Sequence, residues 1–187
     1  MSPRPAPRPA TADDVPAVVA LVQAAYRGDA SRVGWTTEAD LLDGQRADAE
    51  MVRALLTARG SVVLLLDDVP GGDDLAAEGG PLACCHVQER ADGSCYVGML
   101  AVRPDAQARG LGRVMLDAAE AHARRAGADR LEMTVIAQRT ELIAWYERQG
   151  FVDTGERSPF PYGDERFGLP RRPDLEFRHL ARSLAAG

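Results

Sequence analysis

Cysteine is scarce in this chain. Only Cys84, Cys85 and Cys95 occur, an odd number with two adjacent in an apolar run. That pattern excludes a disulfide framework and lacks the C-x-x-C spacing of a zinc site, so the thiols read as core residues in a reducing compartment. Basic charge is also short: 22 Lys and Arg face 28 Asp and Glu, for a formal charge of −6. Such a surface excludes nucleic acid as a natural partner, because phosphates call for basic faces. No apolar stretch approaches the roughly 20 residues of a membrane span. Met1 to Pro9 alternates Pro with Arg and Ala and has no apolar core of a signal peptide. The expected setting is therefore cytoplasmic, with no membrane partner. His86, His122 and His179 fall on different elements without metal-ligand spacing, so no metal is expected.

What is present suits one ordinary domain. The 187 residues are 45% hydrophobic and 27% charged, enough for a substantial core. Residues 1–9 are expected to be disordered or frayed, ending in a short edge strand, and 10–187 to form a single domain. Periodicity predicts helices over Asp13–Tyr26, Gln45–Arg59, Leu111–Ala126 and Thr140–Gln149. Strands are predicted over Val62–Leu66, Leu82–Glu89, Cys95–Val102, Leu131–Ile136, Phe151–Glu156 and Leu175–Leu180. Pro70–Gly80 reads as a hairpin loop and Ser158–Pro173 as a long irregular one. The fold class is α/β (α+β), a mixed central sheet with helices on both faces.

The informative segment runs from Met99 to Leu116: a strand, a glycine-containing turn and an amphipathic helix. Without Cβ atoms, Gly110 and Gly112 let the turn take positive φ and approach a ligand closely. The first amides of the helix then point outward with the positive end of the dipole behind them, a cradle for pyrophosphate. Arg109 and Arg113 add charge at the same end. A Rossmann turn needs a third glycine where Met115 stands, and a Walker loop needs a Gly-Lys-Ser/Thr ending that is absent.

Gln107-Ala108-Arg109-Gly110-Leu111-Gly112 resembles the Q/R-x-x-G-x-G/A signature of the GNAT (Gcn5-related N-acetyltransferase) superfamily. Arg139 to Phe151 resembles a second pattern of that family, a helix ending in Tyr followed after three residues by Gly-Phe. The resemblance covers roughly Val62 to Glu156. It implies a GNAT fold of six to seven strands, splayed between the fourth and fifth, with acetyl-CoA as co-substrate in the wedge. Backbone groups of Leu100, Ala101 and Val102 would line the pantetheine, and Tyr146 would be the general acid protonating the departing thiolate. Where the family has Asn, this chain has Arg139, which pairs with coenzyme phosphate or is solvated.

An acceptor amine must lose a proton before attack, and the base is not evident: Glu132 on the fifth strand and Glu38 in the first inter-helix loop are the candidates. Trp35, Glu38 and Tyr162 stand in two loops whose composition suits an acceptor pocket. The second loop, Phe160–Pro170, suits a homodimer contact equally well. The expected function is acetyl transfer from acetyl-CoA to a primary amine of a small molecule. A protein lysine or N-terminus as acceptor, and a non-catalytic acyl-CoA sensor, are the alternatives.

Overall fold

The computed structural model describes residues 6–68 and 80–184. Nearly all of the predicted Pro70–Gly80 loop, and residues 1–5 of the N-terminal segment, lie outside the described residues. The strands are β1 (Arg8–Pro9), β2 (Leu42–Asp43), β3 (Ser61–Leu66), β4 (Ala83–Glu89), β5 (Ser94–Val102), β6 (Arg130–Ile136), β7 (Val152–Pro159), β8 (Leu169–Pro170) and β9 (Glu176–Ser183). The α-helices are α1 (Val15–Tyr26), α2 (Ala49–Thr57), α3 (Leu111–Arg125) and α4 (Thr140–Arg148). Seven strands form one mixed sheet in the order β1-β3-β4-β5-β6-β9-β7, and β2 pairs with β8.

The continuous apolar run of β3 is explained by cover on both faces. Val63 and Leu65 pack with Val18 and Val22 of α1 and Val52 of α2. Leu64 and Leu66 point the other way, toward Met115, Leu116 and Ala119 of α3 and Ile143 of α4. Cys84 and Cys85 divide between the same two layers, and all three thiols are buried and free. Burial raises the Cys84 pKa to about 12, which removes it as a thiolate nucleophile.

Local chemistry sets the element ends. The second helix starts at Ala49 rather than Gln45 because the Asp48 carboxylate accepts the Met51 amide at 2.8 Å as an N-cap. Helix α3 stops before Gly127, whose φ of 77° is one that glycine alone takes without strain. The last strand pair extends past the predicted limits, and a register shift between Asp153 and Arg157 carries β7 on to Pro159. All 22 cationic side chains of the chain are arginine; it contains no lysine.

Leu116 is 1% exposed between α3 and the sheet. Leu116→Ala is expected to cost about 2–5 kcal/mol in denaturant unfolding, the usual price of a buried leucine cavity. A loss below about 1 kcal/mol would mean that α3 is not seated as described.

Candidate active site

The site begins where a ladder ends. β5 and β6 run parallel and pair only over Ser94–Arg130, Cys95–Leu131 and Tyr96–Glu132. Beyond that the strands part, and a side-chain bond of 2.9 Å between Tyr96 Oη and Thr134 Oγ1 ties them near the fork. On its other edge β5 carries an irregularity: Cys84 pairs with Ala101 but His86 with Gly98, so an extra residue is accommodated. Met99 sits in that bulge with φ of 49°, and bulges of this kind re-aim the following backbone. The Leu100 carbonyl accepts a short hydrogen bond from the Tyr26 hydroxyl of α1.

Two cavities flank the fork. One, of about 650 Å³, is lined by Leu100, Val102, Gln107, Ala108, Gly110, Leu111, Gly112 and Arg113, and by Trp145, Tyr146 and Gln149 of α4. Gly110 caps α3 in the left-handed region, φ 79°, and a Cβ there would meet open space. The amides that follow it have no intrahelical acceptor, so the turn is open toward an anion. Gly112 is small for a different reason: a Cβ on it would lie 3.2 Å from the Trp145 ring. Gln107 is a strut. Its Nε2 donates to Thr36 Oγ1 at 2.8 Å and the Val102 carbonyl at 3.2 Å, while its Oε1 accepts the Trp35 amide at 2.9 Å.

The other cavity, of about 820 Å³, opens on the α1–α2 side of the sheet and is walled by Met99, Met133, Ile136, Phe160, Phe167 and Phe177, among others. Tyr26, Leu100, Leu142 and Tyr146 line both cavities. The loops that contain Glu38 and Phe167 close one side together: β2 pairs with β8, Arg171 donates its amide to the Leu41 carbonyl at 2.9 Å, and its Nη1 donates to the Ala39 carbonyl at 3.0 Å.

Behind this wall lies a buried charge cluster. Glu38 accepts from Arg27 Nη1 through a short contact and from Arg139 Nη1 at 2.9 Å, and Arg46 Nε stands 3.8 Å from its Oε2. Arg139 also donates to the Thr36 carbonyl. The Arg46 and Arg139 guanidinium carbons lie 5.4 and 5.6 Å from the Tyr26 ring centre. Burial alone would raise the Glu38 pKa, but the charges of Arg139, Arg46 and Arg27 outweigh it and hold the carboxyl below its ordinary value. Burial pushes Tyr26 up to about 12 and Tyr146 higher still, so both phenols keep their protons at neutral pH.

Several sequence-based expectations change in this light. Arg139 is neither solvated nor turned toward the glycine turn; it lines the larger cavity and is committed to Glu38. Trp35 lines the smaller cavity beside Trp145, with ring centres 6.1 Å apart, and not the larger one. Tyr162 lines neither cavity and instead pins its loop, donating to the Arg172 carbonyl at 2.9 Å and accepting the Leu175 amide at 2.8 Å. Glu132 also lines neither; it is held at 2.7 Å by both Arg90 and Arg130. Ala101 turns its methyl into the α1–α2 core. Arg109 lines neither cavity in this conformation.

Sequence reasoning missed Tyr26, Arg46 and His86, all facing the larger cavity. Tyr26 read as the last apolar position of a helix stripe, and only the Leu100 bond reveals its second task. The Ser61 hydroxyl donates to the Leu55 carbonyl at 2.5 Å and therefore accepts from His86 Nε2 at 2.9 Å, which leaves Nδ1 as the bare nitrogen. Burial lowers the His86 pKa to about 4, so the ring is neutral. Among the described residues, no group of three or more His, Cys, Asp or Glu could hold a metal ion, and no helix is long and apolar enough to cross a membrane.

Glu38→Gln would leave three guanidinium groups around a neutral amide. Loss of one partner from a buried charge group costs about 3–5 kcal/mol, and a destabilisation of that order is expected in urea unfolding at neutral pH. Because the folded pKa lies below 4.5, the wild type loses this increment as pH falls from about that value, whereas the variant has none to lose. Equal stabilities at neutral pH would refute the cluster.

The Acetyltransferase (GNAT) family description matches residues 35–151. No curated protein sequence matches the chain. Among solved structures, yncA from Salmonella typhimurium, determined with its cofactor acetyl-CoA, is similar at 20% identity and a TM-score of 0.68, covering 99% of this chain and 96% of that one. Ribosomal-protein-alanine N-acetyltransferase from Brucella melitensis is similar at 21% identity and a TM-score of 0.67, covering 95% and 99%. Nourseothricin acetyltransferase is similar at 19% identity and a TM-score of 0.55, covering 68% and 67%. These neighbours share the fold, and the two whose names give an acceptor give different ones, a ribosomal-protein alanine and nourseothricin. With its family match spanning more than half the sequence, its signature turn at the start of α3 and its parted central strands, the chain belongs to the GNAT family of acetyl-CoA-dependent N-acetyltransferases.

Proposed function

We propose that the protein transfers the acetyl group of acetyl-CoA to the primary amine of a small molecule, by direct attack when both substrates are bound. The observation that carries this reading is the meeting of two cavities at Tyr26, Leu100, Leu142 and Tyr146. The smaller cavity suits the coenzyme. The amides of Leu111, Gly112 and Arg113 offer donors for a diphosphate, with Gly110 giving close approach and the Arg109 and Arg113 charges nearby. Ala108, with φ of 64°, turns the chain into this cradle, and Gln107 braces it. Leu100, Ala101 and Val102 would present the fork side of β5 to the pantetheine arm, with the Leu100 and Val102 carbonyls already held by Tyr26 and Gln107.

In the reaction the neutral amine attacks the thioester carbon, the carbon–sulfur bond breaks, and the departing sulfur takes the proton of Tyr146. Its hydroxyl makes no hydrogen bond among the described residues and is buried enough to stay protonated, which suits a donor. The nitrogen's proton leaves through water. Of the candidate bases, Glu38 has its proton affinity suppressed by three arginines, and Glu132 is tied to Arg90 and Arg130. The neutral His86 imidazole lines the acceptor cavity and, with a pKa near 4, serves as a relay to solvent rather than a store.

A small acceptor is favoured over a protein because paired loops wall the larger cavity. Three free, buried thiols accord with a reducing, cytoplasmic setting. Release of free CoA thiol on mixing with acetyl-CoA and an amine panel tests the reading; binding without release would make the protein a sensor.

Tyr146→Phe should lower kcat by about 10²-fold or more while sparing acetyl-CoA affinity. An unchanged kcat with chemistry rate-limiting would reject the acid role. Gly110→Leu forces a side chain into the left-handed turn and is expected to weaken acetyl-CoA binding at least about 10-fold in a folded protein. Calorimetry showing wild-type affinity would move the diphosphate elsewhere.

A further inference from the structure

Cationic side chains gather at one end of the larger cavity, near Tyr26. Arg27, Arg46 and Arg139 converge on a single Glu38. Arg27 and Arg139 spend donors on Glu38 and on backbone carbonyls. Arg46 does not. Its nearest ion-pair contact is 3.8 Å, beyond hydrogen-bond reach, and its guanidinium makes no hydrogen bond among the described residues. Yet it is placed: it lies over the Tyr26 ring, its side chain is 30% exposed, and it lines the cavity.

The other carboxylates facing that cavity, Asp48 and Glu50, make no ion pair with Arg46 among the described residues. The Asp48 carboxylate is engaged by the Met51 amide and by Gln45 Nε2 at 2.9 Å. Glu50 is exposed on the first turn of α2, and Arg166 is paired with Asp164 at 2.5 Å. A guanidinium with its fork of donors unspent, fixed by a ring and backed by further cations, is the recognition device for a planar oxyanion. The lining of the same cavity also offers apolar surface at Met51, Leu55, Met99 and Phe160.

We propose that Arg46, backed by Arg139, is a carboxylate-binding subsite, and that the acceptor is a primary amine bearing a free carboxylate and an apolar side chain, an amino acid in chemical class. This rests on the reading of the larger cavity as the acceptor site. The carboxylate on Arg46 points the amine toward the fork, where Tyr146 and Leu100 stand. Glu38 has a part in this. It occupies Arg27 and Arg139 directly and leaves the donors of Arg46 for a second anion.

The test uses the full chain and three matched pairs: leucine and isoamylamine, methionine and 3-(methylthio)propylamine, phenylalanine and phenethylamine, with leucinamide as the uncharged amide. CoA release should favour the acids over their matched amines, and leucine over leucinamide, by about 10- to 100-fold in kcat/KM, the worth of charge-assisted hydrogen bonds. Arg46→Ala should raise KM for the acids by a similar factor, about 10-fold or more, and leave the amines and the acetyl-CoA affinity near wild type. Arg46→Lys should recover part of the loss. Because the Arg46 charge also steadies Glu38 and lies over the Tyr26 ring, Arg46→Ala should lower the melting temperature and its kinetics are read well below it, whereas Arg46→Lys keeps the charge and most of the stability. Equal turnover of acids and amines, or an equal loss on both in Arg46→Ala, would overturn the subsite. Calorimetry with N-acetylleucine separates this inference from the reading it rests on. Binding that needs Arg46 without CoA release from any amine would sink acyl transfer and keep the subsite. Release with plain amines, and no binding of the acid, would do the reverse.

Discussion

Strands β5 and β6 exchange ladder bonds over three residue pairs and then separate, and each later feature of the molecule answers to that separation. A strand edge released inside a domain exposes amides and carbonyls that must find other partners or meet a ligand. From Val97 to Val102 β5 keeps its bonds to β4 on one side while its other edge faces the fork. The bulge at Met99 adds a twist, and the Tyr26 hydroxyl takes up the Leu100 carbonyl. Helix α4, which follows β6, then brings Tyr146 to the same point from the opposite face. Stability on either side comes from separate apolar layers, so the fork can stay open without emptying the core.

Much of this was legible in the residues because it is local. The turn before α3 announces itself in Gly110, whose left-handed φ and open surroundings are set by its immediate neighbours. Cap chemistry and hydrophobic period located the helices and strands within a few residues, and Asp48 explains why α2 starts late. What escaped was long-range pairing. Arg139 is 101 residues from Glu38, and no spacing rule connects them. Which cavity Trp35 lines depends on Trp145, on a helix far away in sequence. The β2–β8 pair is two residues long on each side, too short for any periodic signal, although it closes a cavity wall. Gly112 looked like half of an anion cradle, whereas its own geometry gives a packing reason, the Trp145 ring.

The charge cluster also shows how one buried carboxylate can organise a site without reacting. A lone buried carboxylate would protonate, and three converging guanidinium groups without a counter-charge would repel one another. Together they reach a compromise in which Glu38 stays ionised and Tyr26 is flanked by cations. The loops that carry these residues are thereby fixed to one another across the cavity, so shape and electrostatics on that side share a common origin.

The exclusive use of arginine has a consequence for an enzyme of this family. Acetyl groups move to nucleophilic amines, and an ε-amino group near an activated thioester is a standing target for stray modification. A guanidinium delocalises its lone pairs and stays protonated, so it is inert to such attack. This chain works beside a reactive acyl donor with no ε-amino group anywhere on its own surface. The cationic side of its ion pairs and of its cavity linings is carried by side chains that its own chemistry cannot cap.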